Sequence, residues 1–276
     1  MAIALPPICL TILRICMQHK YSISLVSYLN TKPFLYGLQH EPEAAQFALE
    51  LDIPSVGGKK ILENQVDIGL VPVAVLAKLD DARIISDYCI GADGPVRSVC
   101  LFSHVPIDKI EKVFMDYHSM TSVQLVNILL KEYWHVHPEQ IPATTGYIEQ
   151  IQGTTAGLII GDRALGLYDK FPYVYDLSEA WKSHTGLPFV FAAWITRKEI
   201  PAEVLQSLNK ALHLGVESID AVVNMYAGNQ LDKHALHDYF TVNIDYHLDG
   251  VKRKALELFI GKIRMYADVD GSLHEQ

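Results

Sequence analysis

The residues best placed for chemistry are small, neutral and clustered where strands give way to helices. In Val26-Ser27-Tyr28-Leu29-Asn30-Thr31-Lys32-Pro33 a β-rich run ends in Ser and Asn just ahead of a proline suited to a helix's first turn. Such a junction offers free backbone N–H groups, the positive end of a helix dipole and two uncharged side chains, Ser27 and Asn30, at one spot. Its conformational alternative is that Asn30 or Thr31 only caps the helix. A second stretch, residues 86–99, carries Gly91 and Gly94-Pro95 and brings Arg97, Ser98 and Val99 to the start of another strand; a Gly/Pro turn with a surface arginine has the same appearance. In Asp116-Tyr117-His118-Ser119-Met120-Thr121-Ser122 the hydroxyls of Ser119, Thr121 and Ser122 sit at a helix start, where capping and anion binding draw on the same donors. Gly161-Asp162-Arg163-Ala164-Leu165 repeats the layout, with Asp162 a more obvious cap than catalyst.

Metal chemistry has weaker support. His135-x-His137 alternates as strand ligands can, but it follows a helix, precedes Pro138 and has no third ligand in view. His234 and His237 have helical spacing and the same status, so both pairs are expected on the surface, and no metal or other cofactor is expected. Trp134 and Trp181 are expected to pack, and Asp67 and Asp87 need no catalytic role.

The four junctions must be held by a scaffold. From residue 21 the chain alternates β-rich runs with helical stretches, the pattern of an α/β protein with mainly parallel sheet. Strands are expected over 21–28, 47–51, 66–70, 112–115 and 157–160, and helices from Pro33, over 58–64, from Val71-Pro72 to 78, from Ser119 to 134 and after Asp162. The segment 82–104 reads as a crossing into a second lobe and 189–196 as the return, after which the chain is expected to be helical. This gives an N-terminal extension over 1–19, a first lobe from 20–102 and 192–276, and a second lobe from 103–191. Two crossings leave a central cleft, and all four junctions are expected at its edge, at the carboxyl ends of parallel strands, two per lobe.

Composition narrows the partners. With 276 residues and 50% hydrophobic content, a chain of this size buries roughly 70–75% of its unfolded surface. A formal net charge of −9 and no Lys/Arg-rich run exclude a nucleic-acid partner, whereas a closed cleft can still hold a small anion through a few local donors. Cys9, Cys16, Cys89 and Cys100 show neither C-x-x-C spacing nor secreted-protein density, which fits unpaired thiols in a reducing compartment. The apolar start, residues 2–16, has no basic flank, is broken by Pro6-Pro7 and Arg14, and is too short to span a bilayer. It is expected to be neither signal nor membrane anchor, with Met17 an alternative start, and the chain is expected in the cytoplasm. The oligomeric state is not legible in the sequence.

Four blocks carry a resemblance. Ser27-Tyr28-Leu29-Asn30-Thr31-Lys32-Pro33, Asp67-Ile68-Gly69-Leu70-Val71-Pro72, Gly91 through Val99, and Thr185-Gly186-Leu187-Pro188-Phe189-Val190-Phe191-Ala192 resemble the blocks of menaquinone-pathway chorismate dehydratases, from about residue 21 to the C-terminus. The resemblance implies a two-lobed, type II periplasmic-binding-protein-like α/β fold and conversion of chorismate to 3-[(1-carboxyvinyl)oxy]benzoate with loss of water, the first step of the futalosine route. By the same resemblance Asn30 and Ser98 stand at the reacting centre and the Ser119–Ser122 junction holds a carboxylate; from their places at the four junctions Ser27, Arg97, Val99, Ser119, Thr121, Ser122, Gly161 and Asp162 are expected around the substrate. Family members often carry arginine where this chain has Met120, which bears on carboxylate affinity only if that side chain faces the ligand. The alternatives are a solute-binding protein for a small anion and the sister dihydroxynaphthoate-forming enzyme of the pathway; the S-Y-L-N-T-K-P block favours the dehydratase.

Overall fold

The computed structural model describes residues 20–270. The expected N-terminal extension, with Cys9, Cys16 and the alternative start at Met17, lies outside the described residues. Two mixed sheets form the framework. The first has six strands in the order β11-β4-β10-β3-β1-β2, drawn from β1 (Tyr21–Val26), β2 (Phe47–Asp52), β3 (Ile68–Pro72), β4 (Arg83–Ala92), β10 (Phe189–Thr196) and β11 (Asp245–His247). The second has five in the order β7-β6-β8-β5-β9, from β5 (Val99–Ser103), β6 (Lys112–Met115), β7 (Glu139–Pro142), β8 (Thr155–Ile160) and β9 (Tyr173–Asp176). Strands covered on both faces read as unbroken apolar runs rather than alternating ones. Accordingly every residue of β3, β5 and β10 is buried.

The sheets are less parallel than the sequence pattern predicts. β1 lies parallel to β2 and β3, and β6 parallel to β7 and β8. The strands that carry the chain between lobes run the other way: β10 is antiparallel to β3 and β4, and β5 to β8 and β9. Strand pairing also moves the expected lobe boundaries. Val99–Ser103 pairs entirely within the second sheet and Phe189–Thr196 within the first, so the chain crosses in residues 93–98 and 186–188 rather than at 102 and 191. The reason is local: Gly94 and Gly186 adopt positive φ (132° and 74°) and break the chain before pairing resumes.

The region after β10 is not wholly helical. Helices Ala202–Glu217, Ile219–Tyr226, Lys233–Asp238 and Gly250–Asp270 are interrupted by a π-helical turn, Tyr239–Asn243, and by β11, which returns to the outer edge of β4. The segment 73–77 is a 3₁₀ turn rather than an α-helix, and helix Pro54–Leu62 starts four residues earlier than the sequence suggests because Pro54 takes its first turn.

Helix Lys32–His40 crosses helix Ala202–Glu217 at two glycines. A Cβ on Gly37 would overlap the Ala211 carbonyl oxygen, and one on Gly215 the Pro33 carbonyl oxygen. Gly215→Ala should therefore cost about 1–3 kcal/mol through overpacking, despite the better helix propensity of alanine. Thermal melting checks this, and an unchanged midpoint would mean that the helices can separate freely.

Candidate active site

At the carboxyl end of β1 the chain turns through 3₁₀ residues Leu29–Thr31 into helix Lys32–His40. Neither capping alternative operates as the sequence suggests. Thr31 is the N-cap, but its hydroxyl donates backward to the Val26 and Tyr28 carbonyls, at 2.5 and 2.9 Å. Asn30 does not cap; its side-chain Oδ1 is buried with no hydrogen-bond partner among the described residues. A buried polar atom left unpaired costs about 1–3 kcal/mol, so in a folded protein it calls for an explanation.

Asn30 is part of the wall of an interlobe cavity of about 520 Å³ of non-atom space, part of it open to solvent. Of the expected site residues, Asn30, Ser98, Val99, Ser119, Thr121, Ser122 and Gly161 line it. Tyr28, Ile90, Val96, Ile160 and Phe191 supply much of the rest. Among the described residues, no Lys, Arg, His, Asp or Glu lines it.

Each hydroxyl has a traceable setting. Ser98 is 1% exposed and accepts a hydrogen bond from the equally buried Tyr239 hydroxyl at 2.8 Å. Ser119 Oγ accepts from the Ser122 N–H at 2.9 Å, so it caps the first turn of helix Thr121–Glu132 while also facing the cavity. Thr121 Oγ1 accepts the Ala74 N–H at 3.2 Å from the opposite lobe. Gly161, at φ 66°, lies against the Tyr28 ring, which a Cβ would meet at 2.6 Å. Only glycine meets both demands.

Three expected residues stand elsewhere. Ser27 continues the β1–β2 pairing through its N–H to Asp52 O (2.9 Å) and does not line the cavity. Arg97 is also absent from the lining: its backbone is left-handed (φ 62°), its N–H is held by Asp176 at 2.7 Å, and its exposed guanidinium lies 4.9 Å from the centre of the Tyr168 ring. Asp162 neither caps its own short helix nor lines the cavity; its carboxylate reaches across to accept the Leu29 N–H at 2.9 Å. It thus occupies one of the free donors at the end of β1. The second junction is corrected as well, since residues 93–98 join a strand to a strand, and Ser98 reaches the cavity from the start of antiparallel β5.

Met120 does not face the cavity either. Its sulfur packs over Gly58 of helix Pro54–Leu62, and the side chain lines a neighbouring groove with Lys78, Gln124 and Asn127. His135 and His137 are exposed, and among the described residues no cluster of three metal-ligating side chains exists.

Sequence reasoning missed the contacts that join the lobes across this cavity. Tyr28 Oη and His118 Nδ1 are 2.6 Å apart, and the Ser55 N–H donates to the His118 carbonyl at 3.0 Å. Burial first, and the nearby Arg163 guanidinium second, hold the His118 imidazole below its ordinary pKa, while burial raises that of the Tyr28 phenol. Near pH 7 both groups are therefore neutral, with the tyrosine as donor and the imidazole nitrogen as acceptor. Tyr246 was also missed; its buried hydroxyl donates to the Asn30 carbonyl at 3.0 Å from β11. Neither Tyr239 nor Tyr246 carries a local motif, so no sequence signal marked them.

A family model described as menaquinone biosynthesis matches residues 21–265. The chain belongs to that family. Within the family's reach, it is 28% identical over 260 residues to a Thermus thermophilus protein named chorismate dehydratase, covering 87% of this chain and 93% of the relative. Solved structures agree on the architecture. A crystal structure of an Archaeoglobus fulgidus protein superposes with TM-score 0.71 at 15% identity, covering 92% of this chain and 99% of that one. A Candida albicans gene product described as having the generic periplasmic binding protein structural fold superposes with TM-score 0.64 at 12% identity, covering 93% and 92%. This menaquinone-biosynthesis family member therefore has the expected two-lobed, periplasmic-binding-protein-like α/β fold. No helix among its described residues is long and apolar enough to cross a membrane.

Proposed function

We propose that the interlobe cavity binds chorismate and removes its C3 hydrogen and C4 hydroxyl, giving 3-[(1-carboxyvinyl)oxy]benzoate and water, a carbon–oxygen lyase reaction at the head of the futalosine route. The family match and the name of the Thermus thermophilus relative support the reading. The observation that carries it is the unpaired Asn30 Oδ1, buried in the wall of a cavity whose lining holds no charged side chain. Two buried free thiols, Cys89 and Cys100, accord with a reducing cytoplasmic setting.

So neutral a lining suits this elimination. Loss of water makes the ring aromatic, so the overall change is downhill and the barrier lies in proton transfer and hydroxide departure. The protein has to orient the substrate and stabilise charge as it develops. No lining side chain is a base near pH 7, because Tyr28 is kept protonated and its hydroxyl is held by His118. In keeping with the family resemblance, the proton is assigned to the substrate's own enolpyruvyl carboxylate, Asn30 to positioning the ring, and Ser98 to hydrogen bonding a substrate oxygen. The first turn of helix Thr121–Glu132, with Ser119 and Ser122, faces one carboxylate with its positive dipole end.

Incubating the purified chain with chorismate should produce a new aromatic absorbance at the rate chorismate is consumed. Tight binding without turnover would instead support the solute-binding reading.

A further inference from the structure

We propose that Tyr239 is a positioning residue for this reaction: its hydroxyl donates to Ser98 Oγ from behind and turns the Ser98 O–H toward the cavity. The inference rests on the dehydratase reading above and adds a residue to it. A serine hydroxyl has one hydrogen and two lone pairs. The Tyr239 hydroxyl, 2.8 Å away, fills one lone pair. With Tyr239 donating, the only protein acceptor left for the Ser98 hydrogen among the described residues is the Val96 carbonyl at 3.4 Å, beyond the 2.5–3.0 Å of an ordinary O–H···O bond. The hydrogen is thus left for a group on the cavity side, where Ser98 is part of the wall.

The tyrosine is itself held in place. Asp232 caps helix Lys233–Asp238 by accepting the Ala235 N–H at 2.8 Å, and the π-helical turn that follows presents Tyr239 inward. At the far end of that turn Asn243 Nδ2 donates to the Pro95 carbonyl at 2.9 Å. Turn and crossing are therefore tied together two residues before Arg97 and three before Ser98. Tyr239 acts as a fixed donor rather than a proton relay, because burial raises its pKa and disfavours the phenolate a relay would leave behind.

The test is a double-mutant cycle on the full chain with chorismate. Tyr239→Phe keeps the ring and should lower kcat by about 10- to 100-fold, less than the roughly 10²–10³-fold of removing a direct donor, with KM changed by less than about threefold. In a Ser98→Ala background the same substitution should cause no further loss in kcat, since its only route to the substrate is gone. Tyr147→Phe removes an equally buried hydroxyl, bonded to the Leu158 carbonyl at 2.8 Å away from the cavity, and should retain turnover; melting curves establish that both phenylalanine variants fold. Wild-type kcat in Tyr239→Phe, or an equal fold-loss in both backgrounds, would overturn the proposal while leaving the dehydratase reading intact. An unsubstituted chain that leaves chorismate unchanged would overturn both.

Discussion

Asn30→Ala is expected to melt at or slightly above the temperature of the unsubstituted chain while kcat toward chorismate falls by about 10²–10³-fold. The two halves of that result have the same cause. Asn30 Oδ1 is buried without a partner, so the folded chain carries a desolvated acceptor that contributes nothing to holding the lobes. Truncation removes that cost, about 1–3 kcal/mol for a buried unpaired group. The backbone at Asn30 keeps its own support, since Tyr246 donates to the carbonyl rather than to the side chain. What alanine cannot supply is a carboxamide aimed into the cavity. Differential scanning calorimetry with single-turnover kinetics separates the effects. A variant within threefold of normal turnover would remove Asn30 from the reaction, and one that melts well below the unsubstituted chain would mean that its side chain has a structural partner.

Asp116→Ala should have the largest effect on stability, about 3–5 kcal/mol, which lowers the melting midpoint by roughly 10 °C in a chain of this size. Its side chain is fully buried and accepts from the Ile160 N–H at 3.0 Å, the His118 N–H at 2.9 Å and Arg163 Nη2 at 2.6 Å. Alanine leaves the half-buried guanidinium and a buried N–H without their acceptor, the arrangement that makes removing one partner far worse than removing both. The variant Asp116→Ala with Arg163→Met should accordingly recover part of the loss. Because Asp116 also fixes the turn that carries His118, the single variant should weaken the Tyr28–His118 contact and raise KM as well. A melting point within 2 °C of normal would show that the buried pair contributes little.

Both predictions rest on features that differ in how they can be read. Asn30 stood out because Ser, Asn, Thr and Pro follow a β-rich run in a fixed order, and the chemistry of that order is local. Asp116 did not, since its donors come from β8 and from a residue 47 positions away. Asp162 was legible as a junction residue but not as an interlobe contact, because its partner, the Leu29 N–H, lies 133 residues earlier in the chain. Arg97 was placed near the substrate on its neighbourhood to Ser98; a left-handed backbone at that one residue sends it to Tyr168 instead.

The sequence by itself determined the alternation of apolar runs with capped, proline-led helices, hence an α/β chain with a cleft, and most of the site residues it marked line that cleft. These are matters of period, turn chemistry and helix ends, which act over a few residues. Only the tertiary structure decided the strand order, the exact crossings, and the tyrosines at 28, 239 and 246 that support the site. Those contacts depend on side chains brought together by burial across 90 to 216 positions, and a hydroxyl at the end of a buried ring has no signature until its partner is in place.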